Sequence, residues 1–179
     1  MEAIPCNQLD KNGVNTQVRR QLELFLARLR QTLSMEEVAF VERAFFFSAH
    51  AHRTQLRKSG EPYILHPLAV ADILFSWGLF DADALAAALL HDVIEDTGVE
   101  KAVLEKEFSL DVAEMVDGLS KLEFMQFDSR LEAQAANFQK LLAAVARDVR
   151  VIIIKLADRS HNLQTLNAMR PEQRSRITQ

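Results

Sequence analysis

Along most of the chain, apolar residues return every third or fourth position rather than alternating, which is the spacing of one buried helix face. The first such run covers Gln17 to Leu33, with Leu22, Leu24, Phe25, Leu26, Leu29 and Leu33 as its apolar members. Ser34 followed by Glu37 is a capping-box pattern, so a second helix is predicted to start there and run towards His52. The basic stretch Thr54 to Glu61 ends in Ser59-Gly60-Glu61-Pro62 and reads as a loop. His66-Pro67 opens the next helix, because proline is tolerated in a first turn, and that helix stops at Gly78. Asp81 or Asp83 caps a strongly helical segment from Ala84 to Ile94, which Thr97-Gly98 breaks. Shorter helices are predicted at Val99–Glu107 and Asp111–Asp117, and a longer one over Arg130–Asp148.

Val149 to Leu156 is the ambiguous segment. Its β-branched run, Val151 to Ile154, suits a buried strand as well as a buried helix. No second strand candidate exists to pair with it, and a lone strand leaves its backbone groups unsatisfied, so the segment is assigned to helix. The expected fold is therefore all-α, with a polar lead-in over residues 1–16 and one domain over residues 17–179.

Composition narrows the function. Of the 179 residues, 49% are hydrophobic, enough for one buried core, and only five are Gly and four Pro. A net charge of -4 argues against a dedicated nucleic-acid binder, although a small phosphorylated ligand needs only a few local cations. The single cysteine, Cys6, cannot form an internal disulfide and fits a reducing compartment. With no apolar run near the roughly 18 residues of a membrane span and no signal-like start, the chain reads as cytoplasmic.

Candidate chemistry gathers at three places. After the apolar stretch Ala84–Leu90 come His91, Asp92, Glu95 and Asp96, which would share about 140° of arc on one continuous helix. Three carboxylates at a helix C-terminus oppose its dipole, and a divalent cation would offset that repulsion. A solvated helix end is the plainer reading of such a cluster. Asp158 and Asn162 stand four apart with Thr165 beyond, on the helix that follows the Val151–Ile154 run. Asp158 can ligate a metal or simply pair with Lys155 or Arg159; His66 can ligate or cap its helix. His161 can be a plain polar residue or one that orients a ligand, and His50 and His52 read as structural. Arg53, Arg57 and Lys58 form a basic loop that can hold phosphate or merely face solvent.

Longer stretches around these residues resemble a known family. Arg57-Lys58-Ser59-Gly60-Glu61-Pro62-Tyr63-Ile64-Leu65-His66-Pro67, His91-Asp92-Val93-Ile94-Glu95-Asp96-Thr97 and Lys155-Leu156-Ala157-Asp158-Arg159-Ser160-His161-Asn162-Leu163 resemble, in order, three motifs of the hydrolase domain of RelA/SpoT homologues. Asp117-Gly118-Leu119-Ser120-Lys121-Leu122 is similar to a fourth stretch, so the resemblance runs from about Val38 to Ile177.

The resemblance implies an all-α HD-domain helical bundle. It implies one Mn²⁺ held by His66, His91, Asp92 and Asp158, an acidic pair, Glu95 and Asp96, required for hydrolysis, and a nucleotide pocket lined by Arg57, Lys58, Ser59, Asn162 and Thr165. The implied reaction removes pyrophosphate from the 3′ position of ppGpp or pppGpp, the guanine-nucleotide alarmones of the stringent response, giving GDP or GTP. Long members continue into a synthetase domain, so the chain is expected to be the hydrolase part of a bifunctional protein. Two rivals stay open: an HD phosphohydrolase for another nucleotide, and a module that binds alarmone without cleaving it.

Overall fold

The computed structural model describes residues 15–123 and 147–166. Among them are eight helices and no strand: α1 (Thr16–Leu29), α2 (Met35–Ala51), α3 (Leu65–Ser76), α4 (Ala82–Leu90), α5 (Val93–Thr97), α6 (Lys101–Glu107), α7 (Leu110–Glu123) and α8 (Val149–Leu166). The all-α expectation holds, and Val149–Leu156 is helical as assigned. The helix expected over Arg130–Asp148 falls almost wholly outside the described residues, as does nearly all of the lead-in.

The helix starts follow local chemistry. The Asn15 side chain accepts from the Gln17 amide at 2.8 Å and caps α1. Ser34 and Glu37 form a reciprocal capping box at α2: the Ser34 amide donates to Glu37 at 2.8 Å, and the Glu37 amide donates to the Ser34 hydroxyl at 3.2 Å. Asp81, rather than Asp83, caps α4 by accepting from the Ala84 amide at 2.8 Å. Proline in a first turn removes an amide that has no helical partner, so Pro67 sits within the opening turn of α3 without breaking it.

The sequence reading differs from the structure at one important point. A single helix was expected from Ala84 through Ile94, but α4 ends at Leu90 and α5 begins at Val93, so His91 and Asp92 form a break between them. The four polar side chains therefore do not share one regular helical face. The cause is burial: all of Ala84–Leu90 is enclosed, so α4 runs into the core, and the turn at His91-Asp92 redirects the chain before Glu95 and Asp96 reach the surface. Gly98, with φ +71°, ends α5 in the left-handed conformation. α7 is also longer than the predicted Asp111–Asp117, because Val112, Met115, Val116, Leu119 and Leu122 continue its buried face.

α4 is the central rod. It packs on α2, α3 and α7, and α3 packs in turn on α8. Leu85, Leu89, Leu90, Phe45, Val41, Leu74 and Ile154 are all essentially inaccessible to solvent. Arg150, near the start of α8, reaches Asp81 at the start of α4 with a 3.0 Å ion pair and holds Asp148 at 2.6 Å. That anchor and the α3–α8 packing set α8 against the end of α4, where the chemistry lies.

Candidate metal centre

Four side chains from three distant segments meet at the C-terminal end of α4. His66 comes from the first turn of α3, His91 and Asp92 from the α4–α5 break, and Asp158 from the middle of α8. Nε2 of His91 lies 2.9 Å from Asp92 Oδ2 and 4.0 Å from Asp158 Oδ1. Nε2 of His66 lies 3.2 Å from Asp158 Oδ1 and 3.9 Å from Asp92 Oδ2. The ligand atoms of His66, His91 and Asp92 all fall within 4.8 Å of one another.

Hydrogen bonds at the far side of each imidazole decide which nitrogen faces this cluster. His91 Nδ1 lies 2.8 Å from the Ala88 carbonyl, which can only accept, so Nδ1 carries the proton and donates. The opposite nitrogen, Nε2, is buried and makes no hydrogen bond of acceptable geometry. A buried lone pair facing carboxylate oxygens is costly unless a cation or a proton lies between them. Burial alone would push His91 down, but the Asp92 and Asp158 carboxylates prevail and hold it up, to about 9. Burial would likewise raise Asp92 and Asp158, yet the imidazoles keep both below the ordinary carboxylate range, helped at Asp92 by Tyr63 and at Asp158 by Lys155. Positive charge is thus favoured at this point, and two imidazoles with two carboxylates are a donor set suited to Mn, Fe or Zn.

Asp158 pairs with Lys155, one of the readings that the sequence left open, and still turns its other oxygen towards the cluster. Oδ2 pairs with Lys155 Nζ at 3.1 Å, while Oδ1 faces His66 and accepts from Asn162 Nδ2 at 2.7 Å. Asn162 Oδ1 accepts from Arg57 Nη2 at 3.1 Å. The other arm of the same guanidinium, Nη1, lies 3.2 Å from His161 Nδ1, which in turn is 2.8 Å from His66 Nδ1. Burial, with His66 and Arg57 beside it, holds His161 down to about 4, so its imidazole is neutral.

A polar cavity of ≈ 180 Å³ opens over the cluster and is walled by Arg57, Tyr63, Glu95, Asp96 and Asn162 together with His66, Asp92 and Asp158, while His91 lies buried behind them. Glu95 and Asp96 are on its exposed rim. On the other side of His66 and Arg57 lies a larger cavity of ≈ 780 Å³ between α1, α3 and the end of α8, which Thr165 also lines. The Thr165 hydroxyl is turned back onto its own helix, against the carbonyls of His161 and Asn162. Lys58 and Ser59 line neither cavity; both are exposed, and Ser59 donates to Glu61 at 3.2 Å.

Two further residues matter here: Tyr63, to which the sequence reading gave no role, and His161, which it left open between a plain polar residue and one that orients a ligand. The Tyr63 hydroxyl donates to Asp92 Oδ2 at 2.5 Å, with its ring stacked on buried His52 at 4.6 Å between centroids. Tyr63 stands in the turn that leads into α3, three residues before His66 and within the first of the family-like stretches, and that membership is the signal that could have pointed to it. His161 is the second. His52 stays structural, as expected: it lies behind Tyr63 with Nδ1 on Gln55 at 2.7 Å.

Residues 44–179 match the HD domain, a family known by an adjacent His-Asp pair, as at His91-Asp92. The chain belongs to that family. The HD domain covers most of the sequence and includes every candidate ligand. A Haemophilus influenzae guanosine-3′,5′-bis(diphosphate) 3′-pyrophosphohydrolase is 55% identical over 127 residues, 71% of this chain and 19% of that protein. The Escherichia coli bifunctional (p)ppGpp synthase/hydrolase SpoT is 49% identical over 153 residues, 85% of this chain and 22% of that protein. The chain thus spans about a fifth of the length of these curated relatives. Among solved structures, a metazoan ortholog of SpoT, described as hydrolysing ppGpp and playing a role in starvation responses, superposes with a TM-score of 0.61. It is 28% identical and covers 78% of this chain and 79% of that one. The resemblance to RelA/SpoT homologues read from the three motifs is borne out.

Proposed function

We propose that this HD domain hydrolyses the 3′-pyrophosphate of ppGpp and pppGpp, giving GDP or GTP and pyrophosphate, and that it works in the cytoplasm as the hydrolase part of a longer synthetase/hydrolase. The observation that carries the proposal is the buried His91 Nε2, which lacks a hydrogen bond and lies against the Asp92 and Asp158 carboxylates, two acids that line one cavity with Glu95, Asp96 and Arg57. Relatives that are 49–55% identical to this chain over 127–153 aligned residues bear the name of that activity.

His66, His91, Asp92 and Asp158 would hold one divalent cation, proposed to be Mn²⁺. Such an ion supplies the charge that acidifies water and stabilises a phosphoryl oxyanion. The chain's own residues do the rest. In the reaction, a water oxygen bonds to the phosphorus attached at the 3′ oxygen, the bond from that phosphorus to O3′ breaks, and O3′ takes a proton. Glu95 and Asp96 line the rim of the small cavity, and there they would accept the water proton and return one to O3′. Arg57 offers a planar fork suited to a phosphate or a base. Asn162 and Thr165 extend the pocket along α8, and Lys58 and Ser59 would join them through movement of the exposed loop. The net charge of -4 favours a small phosphorylated ligand over a nucleic-acid strand, and no described helix is long and apolar enough to cross a membrane.

The test is ppGpp breakdown by the purified chain with and without Mn²⁺, with products identified. Metal-dependent release of pyrophosphate and GDP is expected. Binding of ppGpp without turnover under any divalent metal would favour a regulatory module instead, and turnover of other nucleotides in preference to ppGpp would favour a different HD phosphohydrolase.

A further inference from the structure

Resting on that metal-centre reading, we infer that His161 is a positioning residue: by accepting a proton from His66 Nδ1, it fixes His66 in the tautomer whose Nε2 lone pair faces the ion.

The argument is one of donors and acceptors. His161 Nδ1 has two neighbours, Arg57 Nη1 at 3.2 Å and His66 Nδ1 at 2.8 Å. A guanidinium can only donate, so His161 Nδ1 must be the bare, accepting nitrogen. His66 Nδ1 must then be the donor. A neutral imidazole carries one N–H, so His66 Nε2 is left unprotonated, 3.2 Å from Asp158 Oδ1 and 3.9 Å from Asp92 Oδ2. Arg57 therefore acts at one remove: its presence at His161 selects the tautomer of His66. The ring geometry fits such a bond, since with centroids 4.9 Å apart and planes tilted by 32° the His66 and His161 rings meet at their Nδ1 edges.

Without His161, the arrangement has an obvious alternative. His66 would move its proton to Nε2 and donate it to Asp158, 3.2 Å away. That would cap the lone pair a metal needs, and Nδ1 would have no acceptor to receive the displaced proton. Partners that orient ligand imidazoles typically change metal affinity 10–100-fold when removed.

The test compares His161→Ala with His161→Asn in the full chain. Asparagine places an acceptor oxygen close to where Nδ1 stands, whereas alanine removes the acceptor. Mn²⁺ titration followed by electron paramagnetic resonance should show roughly 10–100-fold weaker binding for His161→Ala and an affinity within about twofold of wild type for His161→Asn. Long-range proton–nitrogen spectra of the metal-free protein should show His66 protonated at Nδ1 in wild type and His161→Asn, and at Nε2 in His161→Ala. Should His161→Ala fail to fold, His161→Phe keeps a ring against His66 without an acceptor and replaces it. Equal Mn²⁺ affinity in wild type and His161→Ala, equal weakening in both variants, or a wild-type His66 protonated at Nε2 would each overturn this inference alone. A wild-type chain that takes up no Mn²⁺ overturns the metal-centre reading, and this inference with it.

Discussion

Nε2 of His91 stands 2.9 Å from Oδ2 of Asp92, its neighbour in the chain, at the break between α4 and α5. Adjacent residues on a continuous helix point about 100° apart, so this convergence depends on the break. It also separates the acids into two roles. Asp92 is turned inward with Asp158, while Glu95 and Asp96, one turn on, are exposed at the rim.

That separation gives the first prediction. Asp92→Ala removes an inward carboxylate and should abolish Mn²⁺ uptake, measured by elemental analysis of the folded protein. Glu95→Gln alters only the rim, so it should keep one Mn²⁺ per chain and lose ppGpp turnover by 100-fold or more, roughly the contribution of a positioned general acid or base. Full turnover in Glu95→Gln would remove the role given to that residue.

The ionisable groups of the metal-free chain predict a stability maximum near neutral pH. Folded His91 holds its proton to about 9, against an ordinary value of 6.5, because Asp92 and Asp158 outweigh its burial. Its contribution is therefore complete below pH 6.5 and fades as pH rises towards 9. His52, His66 and His161 are shifted down, chiefly by burial. Below pH 6.5 the unfolded chain takes up protons that these folded imidazoles refuse, so stability falls on that side too. Urea midpoints of the metal-free protein should peak near pH 6.5 and decline at both pH 5 and pH 8.5. Saturating Mn²⁺ should flatten the alkaline decline, because the metal replaces the proton at His91. A midpoint that climbs steadily to pH 8.5 without metal would contradict the assigned charge on His91.

Much of this architecture was legible in the residues themselves. Capping chemistry at Ser34 fixed one helix start and narrowed another to Asp81 or Asp83, and the lack of any partner strand settled Val149–Leu156 as helix. What pattern alone could not reveal was the break at His91-Asp92. No Gly or Pro marks it, and helical periodicity continues through Ile94; only the enclosure of Ala84–Leu90 in the core makes the chain turn there. The convergence of His66, His91 and Asp158 was read from family resemblance, since spacing along a chain does not say which ends of distant helices meet. Tyr63 was given no role, and His161 was left open between two readings, for a related reason. Each makes a hydrogen bond to a residue of the cluster, Tyr63 to Asp92 and His161 to His66, a relation set by tertiary packing that spacing along the chain does not reveal.

The forked contact of Arg57 with His161 and Asn162 predicts that lysine cannot replace it. Lysine offers one ammonium on a flexible stem, so it reaches one of these partners and loses the planar face offered to a base or phosphate. A lost hydrogen bond involving a charged group costs about 1.5–3 kcal/mol, so Arg57→Lys should raise KM for ppGpp roughly tenfold or more. Steady-state kinetics under saturating Mn²⁺ would measure this, and an unchanged KM would remove Arg57 from the nucleotide site.

Gly98 offers a way to disturb the acidic rim without touching the inward ligands. It ends α5 with φ +71°, a conformation that costs an ordinary L-residue roughly 1–2 kcal/mol. A Cβ built there meets nothing within 4 Å, so Gly98→Ala adds backbone strain but no clash. The strain falls on a five-residue helix that holds Glu95 and Asp96, with Thr97 tied back to the Val93 carbonyl at 2.6 Å. His66 and Asp158 lie on other elements, and His91 and Asp92 precede α5. Gly98→Ala should therefore lower the melting temperature by a few degrees and reduce kcat, while Mn²⁺ affinity stays within about twofold of wild type. A variant that loses metal as readily as it loses turnover would show that α5 holds the ligands themselves and not only the rim.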